Sequence, residues 1–150
     1  MRGGTENIYG IVGLAKAMEI AHSDMEAHHA HIQGLKTYMI QRLRETIGDL
    51  RFNGDAEGAS LYTVLNVSFP ESPISEMLLF NLDIMGVCAS GGSACSSGSN
   101  LGSHVLAALC PTCTRPSVRF SFGKYNTREE IDQVVDKLAE LFAAHTARTF

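Results

Sequence analysis

The stretch TVLNVSF, residues 63–69, decides the fold, because its β-branched side chains predict a core strand. Pro70 follows directly and ends it, since proline cannot donate a hydrogen bond to a strand ladder. Upstream, LRFNGD predicts a short strand that ends in a turn at Asn53-Gly54. Downstream, SVRFSF (residues 117–122) alternates polar and apolar side chains, as a half-buried strand does. Together these segments predict a small sheet.

Helical periodicity surrounds the strands. Residues 6–50 carry two runs with apolar side chains three and four apart, and Ser23 is predicted to cap the restart between them. Two short helices, SEMLLFNLDIMG and SHVLAAL, follow, the second with Ser103 as its cap. Thr127 and Glu130 have capping-box spacing at the start of a final helix. The apolar positions of the first two runs are Ile8, Ile11, Val12, Ala15 and Met18, then Ile32, Leu35, Met39, Leu43 and Ile47.

These elements predict an α/β fold of the α+β two-layer kind, in which helices pack on a small sheet. The chain has 150 residues, which suits one domain over residues 1–150, and neither a repeat nor a long linker divides it. A domain of this size buries roughly 68–70% of the surface that its unfolded chain exposes, so it can hold a real core.

Composition excludes several functional classes. A net charge of −4 gives no electrostatic case for binding nucleic acid or an anionic membrane. No apolar run approaches the roughly 20 residues of a membrane helix, and the first residues lack the regions of a signal peptide. We therefore expect a cytoplasmic protein whose cysteines are reduced rather than joined in a disulfide framework: Cys88, Cys95, Cys110 and Cys113.

The segment SGGSACSSGS, residues 90–99, surrounds Cys95 with glycine, serine and alanine alone. Small neighbours leave the sulfur uncovered, and an exposed thiol can ionise to the nucleophilic thiolate. No general base stands near Cys95 in the sequence. Composition alone leaves two interpretations open, a reactive thiol and a loop cysteine without a role.

Arg119 lies on the strand predicted from SVRFSF. By alternation it shares a face with Ser117 and Ser121, opposite Val118 and Phe120. A guanidinium in that position can hold a carboxylate in a bidentate fork. The alternative, which the residue alone favours, is a surface arginine on the solvated face of the sheet.

The segment RGGTEN, residues 2–7, puts two glycines and Thr5 before a helix. Free backbone N–H groups and a hydroxyl at a helix start can hold a phosphate. The phosphate-loop pattern G-x-x-x-x-G-K-[ST] is absent. By itself, Thr5 is more simply interpreted as a plain helix cap.

The segment CPTC, from Cys110 to Cys113, has the spacing of half a zinc site or of a redox pair. A structural zinc site needs about four ligands, and Cys88 and Cys95 do not form a second close pair. No βαβ pattern surrounds CPTC to support a redox pair, so its role stays open. The histidines of a distant segment are most simply part of a solvated helix face: His28, His29 and His31.

In combination and in order, these motifs resemble the C-terminal part of a cysteine desulfurase of the NifS/IscS-like kind. Such enzymes belong to the class V aminotransferase-like, pyridoxal-phosphate-dependent family. The resemblance runs from Met1 to about Phe142 and is carried by MRGGTENIYGIVGLAKA, NVSF, SGGSACSSGS, SHVLAAL and SVRFSFGKYNTREEID. It implies the small domain of a fold-type I enzyme, with a short, mostly antiparallel sheet.

The resemblance also implies roles for three residues. Cys95 matches the nucleophile that takes sulfur from L-cysteine as a persulfide and leaves L-alanine. Arg119 matches the arginine that binds the substrate carboxylate, and Thr5 matches the threonine that reaches the cofactor phosphate of the partner subunit in a homodimer. The resemblance further implies that the persulfide sulfur passes to an acceptor protein, such as an iron–sulfur scaffold, for cluster or thio-cofactor synthesis.

The sequence departs from the family pattern in its lysines. The family anchors pyridoxal phosphate on a lysine in a large upstream domain, and none of the lysines here has the matching histidine–lysine context. We therefore expect the small domain alone, without the large lysine domain, and expect it to be inactive toward cysteine unaided. The alternatives are a class V aminotransferase or selenocysteine lyase relative, a stand-alone persulfide-carrying or docking module, and a zinc-binding domain that uses the four cysteines.

Overall fold

A computed structural model of the chain describes residues 3–92 and 103–146, with side chains up to residue 144. Cys95 therefore lies outside the described residues. Within the described residues, a short 3₁₀ helix, Ser75–Met77, precedes the third of five helices. The other elements, in chain order, are α1 (Ile8–Ser23), α2 (Met25–Thr46), β1 (Arg51–Phe52), β2 (Val64–Ser68), α3 (Leu78–Ile84), α4 (His104–Leu109), β3 (Ser117–Ser121) and α5 (Arg128–Thr146).

The three strands form one antiparallel sheet in the order β1-β2-β3. The predicted core strand lies at its centre, where β2 pairs with β3 from Val64 opposite Ser121 to Ser68 opposite Ser117. The α+β two-layer fold and the antiparallel sheet are thus confirmed.

The core lies between one face of this sheet and the helices α2 and α5. Because side chains alternate across a strand, β3 buries every second residue, and β2 does so as far as Val67, with Ser68 buried as well. Each large side chain buried in this way stabilises the fold by roughly 1.5–3 kcal/mol relative to exposure. The buried residues that the sheet and the two helices contribute include Leu65, Val67, Val118 and Phe120, with Leu35, Met39, Leu43, Ile131, Val135 and Leu138.

Of the helix caps predicted at Ser23, Ser103 and Thr127, the last two are confirmed. The Glu130 N–H donates to the Thr127 hydroxyl (3.3 Å), and the Thr127 N–H donates to the Glu130 carboxylate (3.1 Å), which completes a capping box. At α4 the Ser103 hydroxyl accepts a hydrogen bond from the Leu106 N–H.

The cap predicted at Ser23 is wrong. Ser23 is the last residue of α1, and its hydroxyl donates back to the Ile20 carbonyl (3.0 Å) and sideways to the Asp24 carboxylate (2.9 Å). A serine hydroxyl near a helix end can bond its own preceding turn in this way. Asp24 stands at the break, and α2 begins without a side-chain cap.

The expectation of reduced thiols is wrong for one pair, because Cys110 and Cys113 are joined by a disulfide. A turn at Pro111-Thr112 brings their Cα atoms to 5.4 Å, inside the roughly 4.4–6.8 Å that disulfides usually span. Cys88 is free and exposed. None of the helices in residues 3–92 and 103–146 combines the length and hydropathy that crossing a membrane requires.

Candidate functional site

The second face of the sheet is polar and carries Arg119. In β3, Val118 and Phe120 are buried while Arg119 and Ser121 are exposed, as the alternation in the sequence predicts. We call this surface the polar sheet face and define it by the residues Asn66, Ser68, Ser117, Arg119 and Ser121.

Ser90 fixes Arg119 from the neighbouring segment. The two residues exchange backbone hydrogen bonds, with the Ser90 N–H donating to the Arg119 carbonyl at 3.1 Å. The Arg119 Nη2 also donates to the Ser90 hydroxyl at 3.2 Å. The Ser90 hydroxyl therefore helps to orient the guanidinium. A guanidinium has five N–H donors, and their planar arrangement matches the two oxygens of a carboxylate.

Two asparagines complete the polar surroundings of Arg119. Asn66 is directly opposite Arg119 in the β2–β3 register. The Asn53 side chain donates to the Asn66 Oδ1 (2.6 Å) and the Ser68 hydroxyl (2.8 Å). Because the Asn66 oxygen accepts from Asn53, the Asn66 amide is oriented with its NH₂ group as a further donor. Neither asparagine was predicted as a site residue, although the alternation of Asn66 with buried Leu65 and Val67 places it on the same face as Arg119.

Arg119 borders two neighbouring cavities, which share Asn53 and Asn66. The larger has a volume of about 540 Å³, and the smaller about 260 Å³. The larger is bounded beyond β1 by Lys36, Asp55, Ser60 and Leu61, and the smaller by Gly91, Gly92, Ser103, Leu106 and Leu109.

A buried cation supports the wall of the larger cavity. Lys36 on α2 is only 1% exposed, and its Nζ donates to the Ser60 hydroxyl (2.9 Å) and the Leu61 carbonyl (3.1 Å). Burial lowers the pKa of Lys36, and the Asp55 carboxylate partly opposes this shift. Two basic side chains, Arg119 and Lys36, and one carboxylate, Asp55, line the larger cavity. The excess of basic groups favours the binding of anions there.

The segment that contains Cys95 is attached to the smaller cavity at both ends. The chain leaves the described region after Gly92 and returns at Ser103, and both residues line this cavity together with Arg119. Cys95 itself lies outside the described residues. The described residues on either side of this segment, Gly92 and Ser103, thus share a cavity with the guanidinium.

Thr5 is separate from this site. It is exposed and lines neither cavity at Arg119. Its interpretation as a plain helix cap is wrong, because Asn7 caps α1 by accepting a hydrogen bond from the Gly10 N–H at 3.1 Å. Gly4, with φ +126°, adopts a conformation that favours glycine, and a Cβ there would meet nothing within 4 Å. The segment before α1 is therefore open enough for a phosphate to approach.

The zinc interpretation of CPTC does not fit this state of the protein. Zinc binds cysteine as the thiolate, whereas the sulfurs of Cys110 and Cys113 are bonded to each other.

Comparison with known proteins identifies the family. The model of the family described as aminotransferase class-V matches residues 1–134. The chain belongs to the class-V aminotransferase family. It is 39% identical over 143 residues to a putative cysteine desulfurase, IscS 1, of Bacillus subtilis (strain 168), covering 93% of this chain and 37% of that protein. It is 38% identical over 144 residues to a cysteine desulfurase of Gluconacetobacter diazotrophicus, covering 95% and 36%.

Solved structures of two NifS-like proteins confirm the fold. A NifS-like protein of 30% identity superposes with a TM-score of 0.72 over 95% of this chain and 35% of its own. A NifS-like protein from Rickettsia africae ESF-5, at 20% identity, has the same fold with a TM-score of 0.69, covering 95% of this chain and 36% of its own. The chain thus spans a little over a third of the length of the relatives it matches. The resemblance found in the sequence is confirmed.

Proposed function

We propose that the chain is the C-terminal small domain of a cysteine desulfurase. In this proposal the complete protein removes sulfur from L-cysteine as a persulfide on Cys95, releases L-alanine and passes the sulfur to an acceptor protein such as an iron–sulfur scaffold. The similarity to cysteine desulfurases supports it. The observation that carries it is the smaller cavity, where Arg119 lies with Gly92 and Ser103, the two ends of the Cys95 segment.

Arg119 is proposed to hold the substrate carboxylate. The Ser90 hydroxyl and the β2–β3 register fix its direction before substrate arrives, and a preorganised donor loses little entropy on binding. The Asn66 amide, opposite Arg119, offers a further donor to the same anion. L-Cysteine bound in this way lies in the cavity that Gly92 and Ser103, which flank the Cys95 segment in the sequence, also line.

Cys95 is proposed to act as the nucleophile. Its thiolate forms an S–S bond to the substrate sulfur while the substrate C–S bond breaks. The glycine and serine residues around Cys95 suit a thiol that must collect sulfur at the cavity and then present it to an acceptor.

Pyridoxal phosphate is the cofactor that the proposal requires, and the residues before α1 fit its phosphate. The hydroxyl of Thr5 and the unobstructed Gly3 and Gly4 would hold that group, in a partner subunit of a homodimer. When bound, the cofactor supplies the electron sink that breaking the C–S bond needs.

The four lysines of the chain each make a contact within the described structure. Each is engaged elsewhere: Lys16 with Glu19, Lys36 with Ser60 and Leu61, Lys124 with the Tyr125 ring, and Lys137 with the Met85 carbonyl. We propose that the anchoring lysine belongs to a large domain outside these 150 residues, because none of the four has the histidine–lysine context of the family.

Sulfide release from L-cysteine tests the proposed function. The protein is expressed with any coding sequence that precedes Met1 and is loaded with pyridoxal phosphate. We expect Cys95→Ala to abolish release and Cys88→Ala, which changes another free cysteine, to retain it. No release from the loaded, unaltered protein would contradict the desulfurase proposal. Robust release by the 150-residue chain alone would contradict the placement of the lysine domain outside it.

A further inference from the structure

We propose that Cys110 and Cys113 form a redox-active pair that reduces persulfide sulfur to sulfide at the edge of the smaller cavity. The inference rests on the proposed function for the origin of the persulfide. It gives the CPTC segment a role, whereas the roles proposed for Arg119 and Cys95 leave that segment without one. The pair is observed in its oxidised form, as a disulfide.

The two sulfurs are placed for exchange with a molecule from solution. Cys113 is exposed, whereas Cys110 is half-buried at the end of α4. An exchange reaction requires access to one sulfur, and the second then acts within the same chain. Cys113 is therefore the attacking residue of the reduced pair, and Cys110 is the resolving residue.

The disulfide is not needed to hold its segment in place. A bridge across so short a loop removes little entropy from the unfolded chain. Arg115 anchors the segment independently, because its Nε donates to the Phe69 carbonyl (3.0 Å) and its Nη1 donates to the Asp49 carboxylate (3.0 Å). Thr114 also donates to the Glu71 carboxylate. The segment can thus keep its position when the disulfide is reduced.

The pair adjoins the cavity in which the sulfur chemistry is proposed. Leu106 and Leu109 of α4 line the smaller cavity with Arg119. Cys110 follows Leu109 directly, and its N–H donates to the Leu106 carbonyl at 2.8 Å. The same helix is capped by Ser103, the first described residue after the Cys95 segment. The CPTC turn thus directly follows a helix that lines the cavity.

The chemistry is a two-electron reduction of the sulfane sulfur. The Cys113 thiolate attacks the outer sulfur of a persulfide, which frees the carrier thiolate and leaves the sulfane sulfur on Cys113. The deprotonated Cys110 then attacks the Cys113 Sγ, and hydrosulfide departs with the electron pair of the S–S bond. The pair ends as the observed disulfide, and an external dithiol, which is itself oxidised to a disulfide, restores it.

The test supplies the persulfide from outside, so it does not depend on desulfurase activity. The 150-residue chain is reduced, freed of reductant and mixed without oxygen with glutathione persulfide, beside a protein-free blank. We expect sulfide release above the blank and, by peptide mass, conversion of the Cys110–Cys113 dithiol to the disulfide. Release without loss of these two thiols would overturn the proposal, even if the chain proves to be part of a desulfurase.

Variants separate the two steps. In Cys110→Ser the reaction should stop with one additional sulfur atom on Cys113, and sulfide release should fall to that of Cys110→Ser/Cys113→Ser. Cys88→Ser, the control at the other described cysteine, should behave like the unaltered chain. Circular dichroism checks that each variant folds. Unchanged sulfide release from the double variant would overturn the proposal.

Discussion

Helices α1 and α2 have similar amphipathic spacing in the sequence, but their environments differ. Helix α1 buries none of its residues, and Leu14 and Met18 remain 63% and 64% exposed. Helix α2 buries six, among them Leu43, which is fully inaccessible. The spacing of apolar residues therefore predicts a helix and its apolar face, whereas burial depends on whether another element covers that face.

The largest expected contrast between the two helices is in core packing. Leu43→Ala leaves a cavity against the sheet and should lower the free energy of unfolding by about 2–5 kcal/mol. Leu14→Ala removes the same atoms from an exposed position of α1 and should change it by less than about 0.5 kcal/mol. Urea denaturation of both variants measures the difference. Equal losses would show that α1 is packed into the cooperative core.

Helix caps provide a second, smaller contrast. Thr127→Ala removes the capping box of the packed helix α5 and should cost about 1 kcal/mol of unfolding free energy. Asn7→Ala removes the cap of α1. It should reduce helicity by circular dichroism without shifting the main denaturation midpoint, since fraying of an unpacked helix is separate from global unfolding. A matching midpoint shift in Asn7→Ala would contradict this account.

The smallest effect concerns pH and the contact between α2 and α5. Tyr38 and Arg42 each donate to the Asp132 carboxylate at 2.8 Å and hold its pKa below the ordinary value of 3.8. A lowered pKa in the folded state stabilises the fold above pH 3.8, and this contribution is lost as the pH falls through the folded value.

Denaturation midpoints between neutral and acidic pH test this linkage. Asp132→Asn should be less stable than the unaltered chain near neutral pH, and the difference should disappear in acid. Asp136→Asn is the matched control, because Asp136 is more exposed and contacts Arg42 at the longer distance of 3.2 Å; near neutral pH it should destabilise the chain less than Asp132→Asn does. A difference for Asp132→Asn that persists in acid would contradict the electrostatic explanation.

The sequence predicted the features that depend on local periodicity. The position of Arg119 on the solvated face follows from the alternation in SVRFSF, and the Thr127–Glu130 capping box follows from spacing alone. Asn53 and Ser90 could not be placed beside Arg119, because that requires the register of β1 against β2 and the pairing of Ser90 with Arg119. The disulfide was missed because it depends on the turn between its cysteines. The exposure of α1 depends on tertiary contacts, which periodicity does not contain.

The contribution of Arg119 to turnover of L-cysteine tests the central claim most directly. Sulfide release is measured for the cofactor-loaded protein, for Arg119→Ala, and for Ser121→Ala on the same face of β3. Loss of a charged hydrogen bond costs about 1.5–3 kcal/mol, so kcat/KM should fall by about tenfold to a hundredfold in Arg119→Ala and remain near the original value in Ser121→Ala. An unchanged kcat/KM in Arg119→Ala would contradict the assignment of the smaller cavity beside Arg119 as the substrate carboxylate site.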